Sequence, residues 1–308
     1  MPIIPCLMGP TASGKSAVAM ALAASLPLEI ISVDSALVYR YMNIGTAKPT
    51  VEQRAQTPHH LVDILDPSES FSAGSFCRAA SRAIEEVLQR QRIPLLVGGS
   101  MLYFHRLSAG VADLPAADPS VRAELQAQAD SHGWSALHLK LQQVDPVAAA
   151  RIHQHDTQRI QRALEIYHLT GKPISTLQAH NITRPYQFLN LIIEPCDRAV
   201  LHTRIENRLN TMFENDFIEE VEALYQRDDL HAQLPAMRCV GYRQVWQYLA
   251  GQCDYPRMRY TALTASRQLA KRQLTWLRRW PNGQRFSMED SGLVETIREC
   301  CLHSLGGN

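Results

Sequence analysis

Gly9-Pro10-Thr11-Ala12-Ser13-Gly14-Lys15-Ser16 is a complete phosphate-binding P-loop. The apolar run Ile3-Ile4-Pro5-Cys6-Leu7-Met8 precedes it, and the helix-forming stretch Ser16-Ala17-Val18-Ala19-Met20-Ala21-Leu22-Ala23 follows. Strand, glycine loop and helix in that order form the context that gives the motif its meaning. Backbone N–H groups between Gly9 and Ser16 can wrap a phosphate at a helix N-terminus, where the dipole favours negative charge. Gly14 lets the backbone approach closely, Lys15 adds a point charge, and the Ser16 hydroxyl can ligate Mg²⁺. Gly9, Thr11, Ala12, Ser13, Gly14, Lys15 and Ser16 are therefore the candidate phosphate-binding residues, with Ser16 the candidate metal ligand. The loop alone does not separate ATP from other di- or triphosphates.

Downstream, apolar runs and helical periods alternate. Leu28–Val33 is a second short apolar run ending at Asp34, and residues 60–65 read as a third. Residues 72–92 carry Phe76, Ala79, Ala80, Ala83, Ile84, Val87 and Leu88 at helical spacing, and Ile93–Val97 is then a buried strand stopped by Gly98-Gly99. Such alternation predicts an α/β fold, a P-loop NTPase-like parallel sheet core with flanking helices. Ligands in these sheets sit at the carboxyl ends of the strands, which sets the P-loop, Asp34 and Gly98-Gly99-Ser100 on one rim. The pattern changes near Asp113, and 113–185 reads as a helical insertion between core segments 1–112 and 186–308. A strand-like run returns at Phe188–Ile193, and from 197 onward the chain reads as mostly helical.

A chain of 308 residues with 45% apolar and 20% charged residues is globular in composition. No run approaches 18 uninterrupted apolar residues, so no membrane span is expected, and the start lacks the basic segment of a signal peptide. Seven cysteines without a Cys-x-x-Cys pair suit reduced thiols in the cytoplasm rather than a disulfide frame or a zinc ribbon. No amphipathic pairing helix stands out, and a monomer is expected. Net charge is only +1, so any nucleic-acid site must come from local clustering. Residues 257–288 supply it: they hold no Asp or Glu but carry Arg257, Arg259, Arg267, Lys271, Arg272, Arg278, Arg279 and Arg285. With Trp276 and Trp280 on the same stretch, this basic helix suits a polyanion's backbone better than a solvated face, which normally mixes both signs. A second cluster in the insertion holds Arg151, His153, His155, Arg159 and Arg162, and together the two suggest a clamp on a nucleic acid. His153/His155 and His59-His60 are weak metal signals without neighbouring cysteines.

Asp34 opens Asp34-Ser35-Ala36-Leu37-Val38-Tyr39-Arg40 on the phosphate rim. Three roles are open to it: holding Mg²⁺, accepting a proton as general base, or capping a short helix. Ser100 offers a hydroxyl on the same rim.

These motifs together resemble the bacterial tRNA dimethylallyltransferase (tRNA isopentenyltransferase) family, from the P-loop to about residue 280. The distinctive blocks are Ile44-Gly45-Thr46-Ala47-Lys48-Pro49, His59-His60-Leu61-Val62-Asp63, Val97-Gly98-Gly99-Ser100-Met101-Leu102-Tyr103, Arg159-Ile160-Gln161-Arg162-Ala163-Leu164-Glu165, Cys239-Val240-Gly241-Tyr242-Arg243, and Arg267-Gln268-Leu269-Ala270-Lys271-Arg272-Gln273-Leu274-Thr275-Trp276. A P-loop is widespread; these blocks in this order are specific.

The resemblance implies transfer of a dimethylallyl group from dimethylallyl diphosphate to N6 of the adenine 3′ to the anticodon (position 37), in tRNAs reading codons that begin with U. The P-loop then holds the diphosphate, with Mg²⁺ as cofactor and the tRNA anticodon stem-loop as partner. By the same resemblance Asp34, Ser100 and Arg208 are catalytic, with Arg204 the alternative to Arg208. The implied tRNA contacts are Asp34, Ser35, Ala36, Leu37 and Ser100; Arg122, Gln158, Arg159, Ile160, Gln161 and Arg162 in the insertion; and Arg238, Cys239, Val240, Gly241, Tyr242, Arg243, Lys271, Arg272, Gln273 and Arg278. Many members read Asp-Ser-Met-Gln-Val-Tyr where this chain has Asp34-Ser35-Ala36-Leu37-Val38-Tyr39, so a glutamine able to bond the base is absent; Gly-Gly-Thr is replaced by Gly98-Gly99-Ser100 with the hydroxyl kept. The competing readings are a P-loop small-molecule kinase, which needs no acid-free basic helix, and a nucleotide-switched RNA binder, which needs no carboxylate at the loop.

Overall fold

In the computed structural model, which describes residues 1–110, 114–115, 117–179 and 186–305, the chain begins β1 Ile3–Met8, α1 Lys15–Ser25, β2 Leu28–Val33, α2 Val51–Gln56, β3 His59–His60, α3 Ala73–Gln89, β4 Ile93–Gly98 and α4 Met101–Ala109. It continues α5 Pro119–Val144, α6 Pro146–Ala149, α7 Thr157–Thr170, α8 Ile174–Ala179, β5 Gln187–Glu194, α9 Arg198–Glu214, α10 Phe217–Tyr225, α11 Tyr242–Leu249, α12 Tyr255–Arg278, β6 Gly283–Ser287 and α13 Leu293–Leu305. Two compact units emerge, one from Met1–Ser108 and Pro185–Asn308, the other from Ala109–Arg184. The insertion limits expected at residues 113 and 185 lie outside the described residues.

The first unit holds a six-stranded sheet in the order β3-β2-β4-β1-β5-β6, parallel throughout. β1, β2 and β4 are apolar on both faces because helices cover both. Ile4, Cys6 and Met8 of β1 pack with Ile31, Val33 and Leu96 against Phe76, Ala80 and Ile84 of α3. The alternate residues Leu7, Ile30, Leu95 and Val97 pack against Val18 and Leu22 of α1, Leu274 of α12 and Ile297 of α13. From β1 the chain moves to one side of the sheet, then crosses to β5 on the other, so a topological switch point falls at the carboxyl end of β1, where the P-loop lies.

The third apolar run is not the strand the sequence suggests. Only His59–His60 pairs with β2, and Leu65 forms a single bridge to Tyr39. His60 instead pairs with Glu29, buried on β2, at 2.7 Å, and Arg90 closes on the same carboxylate at 2.7 Å. His59 Nδ1 lies 2.7 Å from the Thr57 carbonyl. Both histidines are thus engaged structurally, and no group of three His, Cys, Asp or Glu side chains able to hold a metal occurs among the described residues. β6, within a tail that reads as helical, is an edge strand; its Arg285 reaches Glu194 at 2.7 Å and the Leu277 carbonyl at 2.8 Å.

In the second unit Val121, Leu125, Leu141, Ile160 and Leu164 form the core. Glu165 is fully buried within it and takes Arg122 at 2.8 Å, Arg162 at 2.6 Å and the Asp118 N–H at 2.9 Å. A buried carboxylate is tolerated only when paired and hydrogen-bonded in this way, and these partners hold its pKa below the ordinary value against the opposing effect of burial. Among the described residues no helix is long and apolar enough to cross a membrane.

Candidate active site

β1 delivers its last buried residue, Met8, directly into the glycine loop. Gly9 is held so close to β5 that a Cβ there would stand 2.6 Å from the Ile193 carbonyl oxygen. Gly14 takes φ 90 as the N-cap of α1, a left-handed conformation natural to glycine. Lys15 is half-buried, and its amine donates to the Pro10 carbonyl at 2.6 Å and lies 3.3 Å from Ser13 Oγ. Burial first, then the charge of Arg208, pushes the Lys15 pKa down to about 7, while Asp34 pulls the other way.

Asp34 follows β2. Its Oδ1 accepts the Ala36 N–H at 2.8 Å and closes a local turn; no helix follows here, so the helix-cap reading of the sequence does not hold. Ser100 Oγ accepts the Ser35 N–H at 3.2 Å and thereby joins the carboxyl ends of β2 and β4. Gly98 is required between them, since a Cβ would overlap the Val33 backbone.

A cavity of about 1060 Å³ opens over these loops within the first unit. Thr11 to Ser16 (Ser13 excepted), Asp34 to Leu37, Gly98 to Tyr103, Arg204, Arg208, Arg238 to Tyr242, Arg272, Gln273 and Trp276 line it. Among the described lining residues Asp34 is the sole carboxylate, set among Lys15, Arg204, Arg208, Arg238 and Arg272. Met101, Leu102, Ile205, Leu209, Met212, Phe217 and Leu269 add an apolar wall. The pair Arg204 and Arg208, four residues apart on α9, shares one helix face, and both line the cavity, so the alternatives in the sequence are neighbours in space. Arg208 donates to the Thr46 carbonyl at 3.3 Å and is held below its ordinary pKa by burial. Burial, and secondarily Asp34, pushes the Cys239 thiol up to about 12, which disfavours the thiolate.

The expected RNA-contact residues divide. Asp34 to Leu37, Ser100, Arg238 to Tyr242, Arg272 and Gln273 line the cavity; Arg243, Lys271 and Arg278 do not. Lys271, Arg272, Arg278 and Arg279 are exposed on α12 and its C-cap, with no acidic partner among the described residues. The rest of the basic stretch differs: Arg267 pairs with Glu206 at 2.8 Å, Arg259 donates to Asn210 at 2.5 Å, and Arg285 is held by Glu194. Trp276 is 42% exposed, whereas Trp280 packs into the core beside Phe104. In the insertion unit Gln158, Arg159 and Gln161 remain accessible, but Ile160 is wholly buried and the guanidiniums of Arg122 and Arg162 close on Glu165. The Ile160 side chain is packed in the core of the insertion unit, and Tyr242, though it borders the cavity, is buried with its hydroxyl on Glu220.

Two structural roles escape a reading of the sequence. Glu220 on α10 accepts the backbone N–H groups of Asn43 and Ile44 at 2.8 Å and of Gly45 at 3.2 Å, and also the Tyr242 hydroxyl. Lys48, nearly buried, donates to the Tyr39 carbonyl at 2.6 Å and pairs with Asp63, which also takes Arg54 at 2.6 Å. The Ile44–Pro49 block is thus a clasp that fixes the Asp34–Arg40 turn, and its glycine is demanded by Phe217 and Tyr242, which a Cβ at Gly45 would overlap.

A parallel sheet with a P-loop at its switch point, beneath a cation-lined cavity holding one carboxylate, defines a P-loop α/β protein with a phosphorylated substrate. The model of the IPP transferase family matches residues 37–280. A tRNA dimethylallyltransferase of Coxiella burnetii is 55% identical over 96% of this chain and 96% of its own. One from Burkholderia cenocepacia is 57% identical over 90% of this chain and 87% of its own. Among solved structures, the full-length tRNA isopentenylpyrophosphate transferase of Bacillus halodurans superposes with a TM-score of 0.72 at 38% identity, covering 99% of this chain and 97% of that one. The chain belongs to the IPP transferase family of bacterial tRNA dimethylallyltransferases, and is a prenyltransferase.

Proposed function

We propose that this protein transfers the dimethylallyl group of dimethylallyl diphosphate to N6 of adenine 37 in tRNAs reading codons that begin with U. The observation that carries the reading is the cavity itself: among the described residues one carboxylate and five cations line it, together with the glycine loop and a set of apolar side chains. The diphosphate lies against the loop amides and Lys15, with Arg208 and Arg204 adding charge. The dimethylallyl group contacts the apolar wall. The adenine leaves the anticodon-loop stack, at a cost of about a few kcal/mol, and enters beside Asp34 and Leu37.

An exocyclic amine of adenine is a weak nucleophile, so proton removal must accompany attack. The N6 nitrogen bonds to the allylic carbon, the carbon–oxygen bond to diphosphate breaks, and the N6 proton passes to the Asp34 carboxylate. Charge that develops on the leaving diphosphate is met by preorganised donors and cations. Mg²⁺ takes oxygen ligands and keeps substrate phosphates and waters among them; the P-loop hydroxyl of Ser16 would hold it beside the diphosphate, where it would add neutralisation of the leaving group. The RNA backbone lies along Lys271, Arg272 and Arg278, and on the insertion unit Gln158, Arg159 and Gln161 are the accessible members of the implied contact set. The protein acts as a monomer in the cytoplasm, where its RNA substrate resides. Nucleoside analysis tests this directly: tRNA from cells lacking the protein is expected to contain unmodified adenosine at position 37, and persistence of the dimethylallyl nucleoside would refute the function.

A further inference from the structure

Gln273 sits on α12 directly after the exposed pair Lys271 and Arg272, and the sequence resemblance groups it with them as an RNA contact. Its side chain points the other way. Oε1 accepts the Thr11 N–H of the P-loop at 2.8 Å, and Nε2 donates to the Gly99 carbonyl at 3.0 Å. The two partners fix the orientation of the carboxamide, since one offers only a donor and the other only an acceptor. Gly99 has no side chain to spare for this approach: a Cβ there would overlap Gln273 Nε2. Next to Gly99, Ser100 Oγ takes the Ser35 N–H, and Ser35 adjoins Asp34. A continuous polar chain therefore runs from the phosphate loop through Gln273 to the turn that carries the carboxylate.

We propose that Gln273 is a positioning residue that holds the P-loop in register with the Ser100–Asp34 turn, and that it is not an RNA contact. Among the described residues of the cavity, it alone hydrogen-bonds both loops from the helix that bears the exposed cations. RNA seated on Lys271 and Arg272 would thus brace the diphosphate loop through the residue that follows them. The inference rests on the proposed role of the P-loop as the diphosphate site.

The test uses the full chain, Gln273→Met and Gln273→Ala, with inorganic pyrophosphate and an unmodified anticodon stem-loop RNA as separate probes. Methionine keeps length and helix propensity while removing both hydrogen bonds. Alanine removes the side chain on a half-exposed helix face, and thermal unfolding checks that each variant is folded. Losing the bridge is expected to raise the pyrophosphate Kd by roughly five- to tenfold, the scale of one or two net hydrogen bonds. RNA affinity and its salt slope are expected to stay at the wild-type values. In turnover, kcat is expected to fall while the KM for tRNA stays within about twofold, a split that removal of an RNA contact would not produce. Wild-type pyrophosphate affinity in both variants, with weakened RNA binding, would overturn the inference and leave the diphosphate site standing. Failure of the wild-type protein to bind pyrophosphate would overturn the diphosphate site and the inference with it.

Discussion

Lys15 is a cavity cation whose pKa is brought towards neutral pH. Its amine stands against Arg208 in a partly desolvated site, and its pKa falls from 10.5 to about 7. Above about pH 7 the amine of the free protein gives up its proton, whereas a bound diphosphate favours the ammonium form. The sign follows: binding takes up a proton between the two values, and this contribution to affinity is full below about pH 7 and declines as pH rises. Calorimetry in buffers of differing ionisation enthalpy at about pH 8 is expected to show greater proton uptake on pyrophosphate binding by the wild type than by Lys15→Arg, whose guanidinium stays charged. Equal uptake would mean that Lys15 does not face the anion. Lys15 and Asp34 are both legible in the sequence, because each belongs to a local strand–loop signal. The roles of Glu220 and Gln273 are not: their backbone partners lie 175–177 and 174–262 residues away, and only the fold brings them together.

Among the elements, α12 has two jobs on two faces. Asp254 caps it by accepting the Arg257 N–H at 2.9 Å, and Met258, Ala262, Ala270, Leu274 and Leu277 bury one stripe against the unit. Lys271, Arg272 and Arg278 are exposed. Each phosphate contact contributes about 0.7–0.9 to the slope of log K against log salt. Lys271→Ala with Arg272→Ala is therefore expected to flatten the salt dependence of RNA binding by up to roughly 1.5 units while leaving pyrophosphate affinity unchanged. Parallel salt titrations would make this face a solvated surface. The short range of strand and helix signals explains what the sequence discloses here. Ile3–Met8 and Leu28–Val33 are strands at the expected limits because they are continuous apolar runs between turn residues. β6 is hidden because Gly283-Gln284-Arg285-Phe286-Ser287 has no apolar alternation; its edge position, pairing only with β5, asks for none. The apolar residues of 60–65 are used differently from a strand, for Leu61 takes a left-handed φ of 61 and ends the extended course.

At the scale of the molecule, one sheet topology converges five segments on a single cavity: the loop after β1, the turns after β2 and β4, and the helices α9 and α12. Net charge conceals this, because +1 overall coexists with five cations and one carboxylate lining the cavity among the described residues. Prenyl transfer needs that imbalance, a strong anion site beside a lone base. The measurement that tests it most directly is single-turnover transfer from labelled dimethylallyl diphosphate to an unmodified anticodon stem-loop, by wild type and Asp34→Ala. The wild type is expected to place the label on N6 of the adenine 3′ to the anticodon, and Asp34→Ala to be slower by about 10²–10⁴-fold at unchanged RNA affinity. RNA left unlabelled by the wild type, or an Asp34→Ala rate within about tenfold of it, would contradict the assignment of this cavity as a base-assisted prenyl-transfer site.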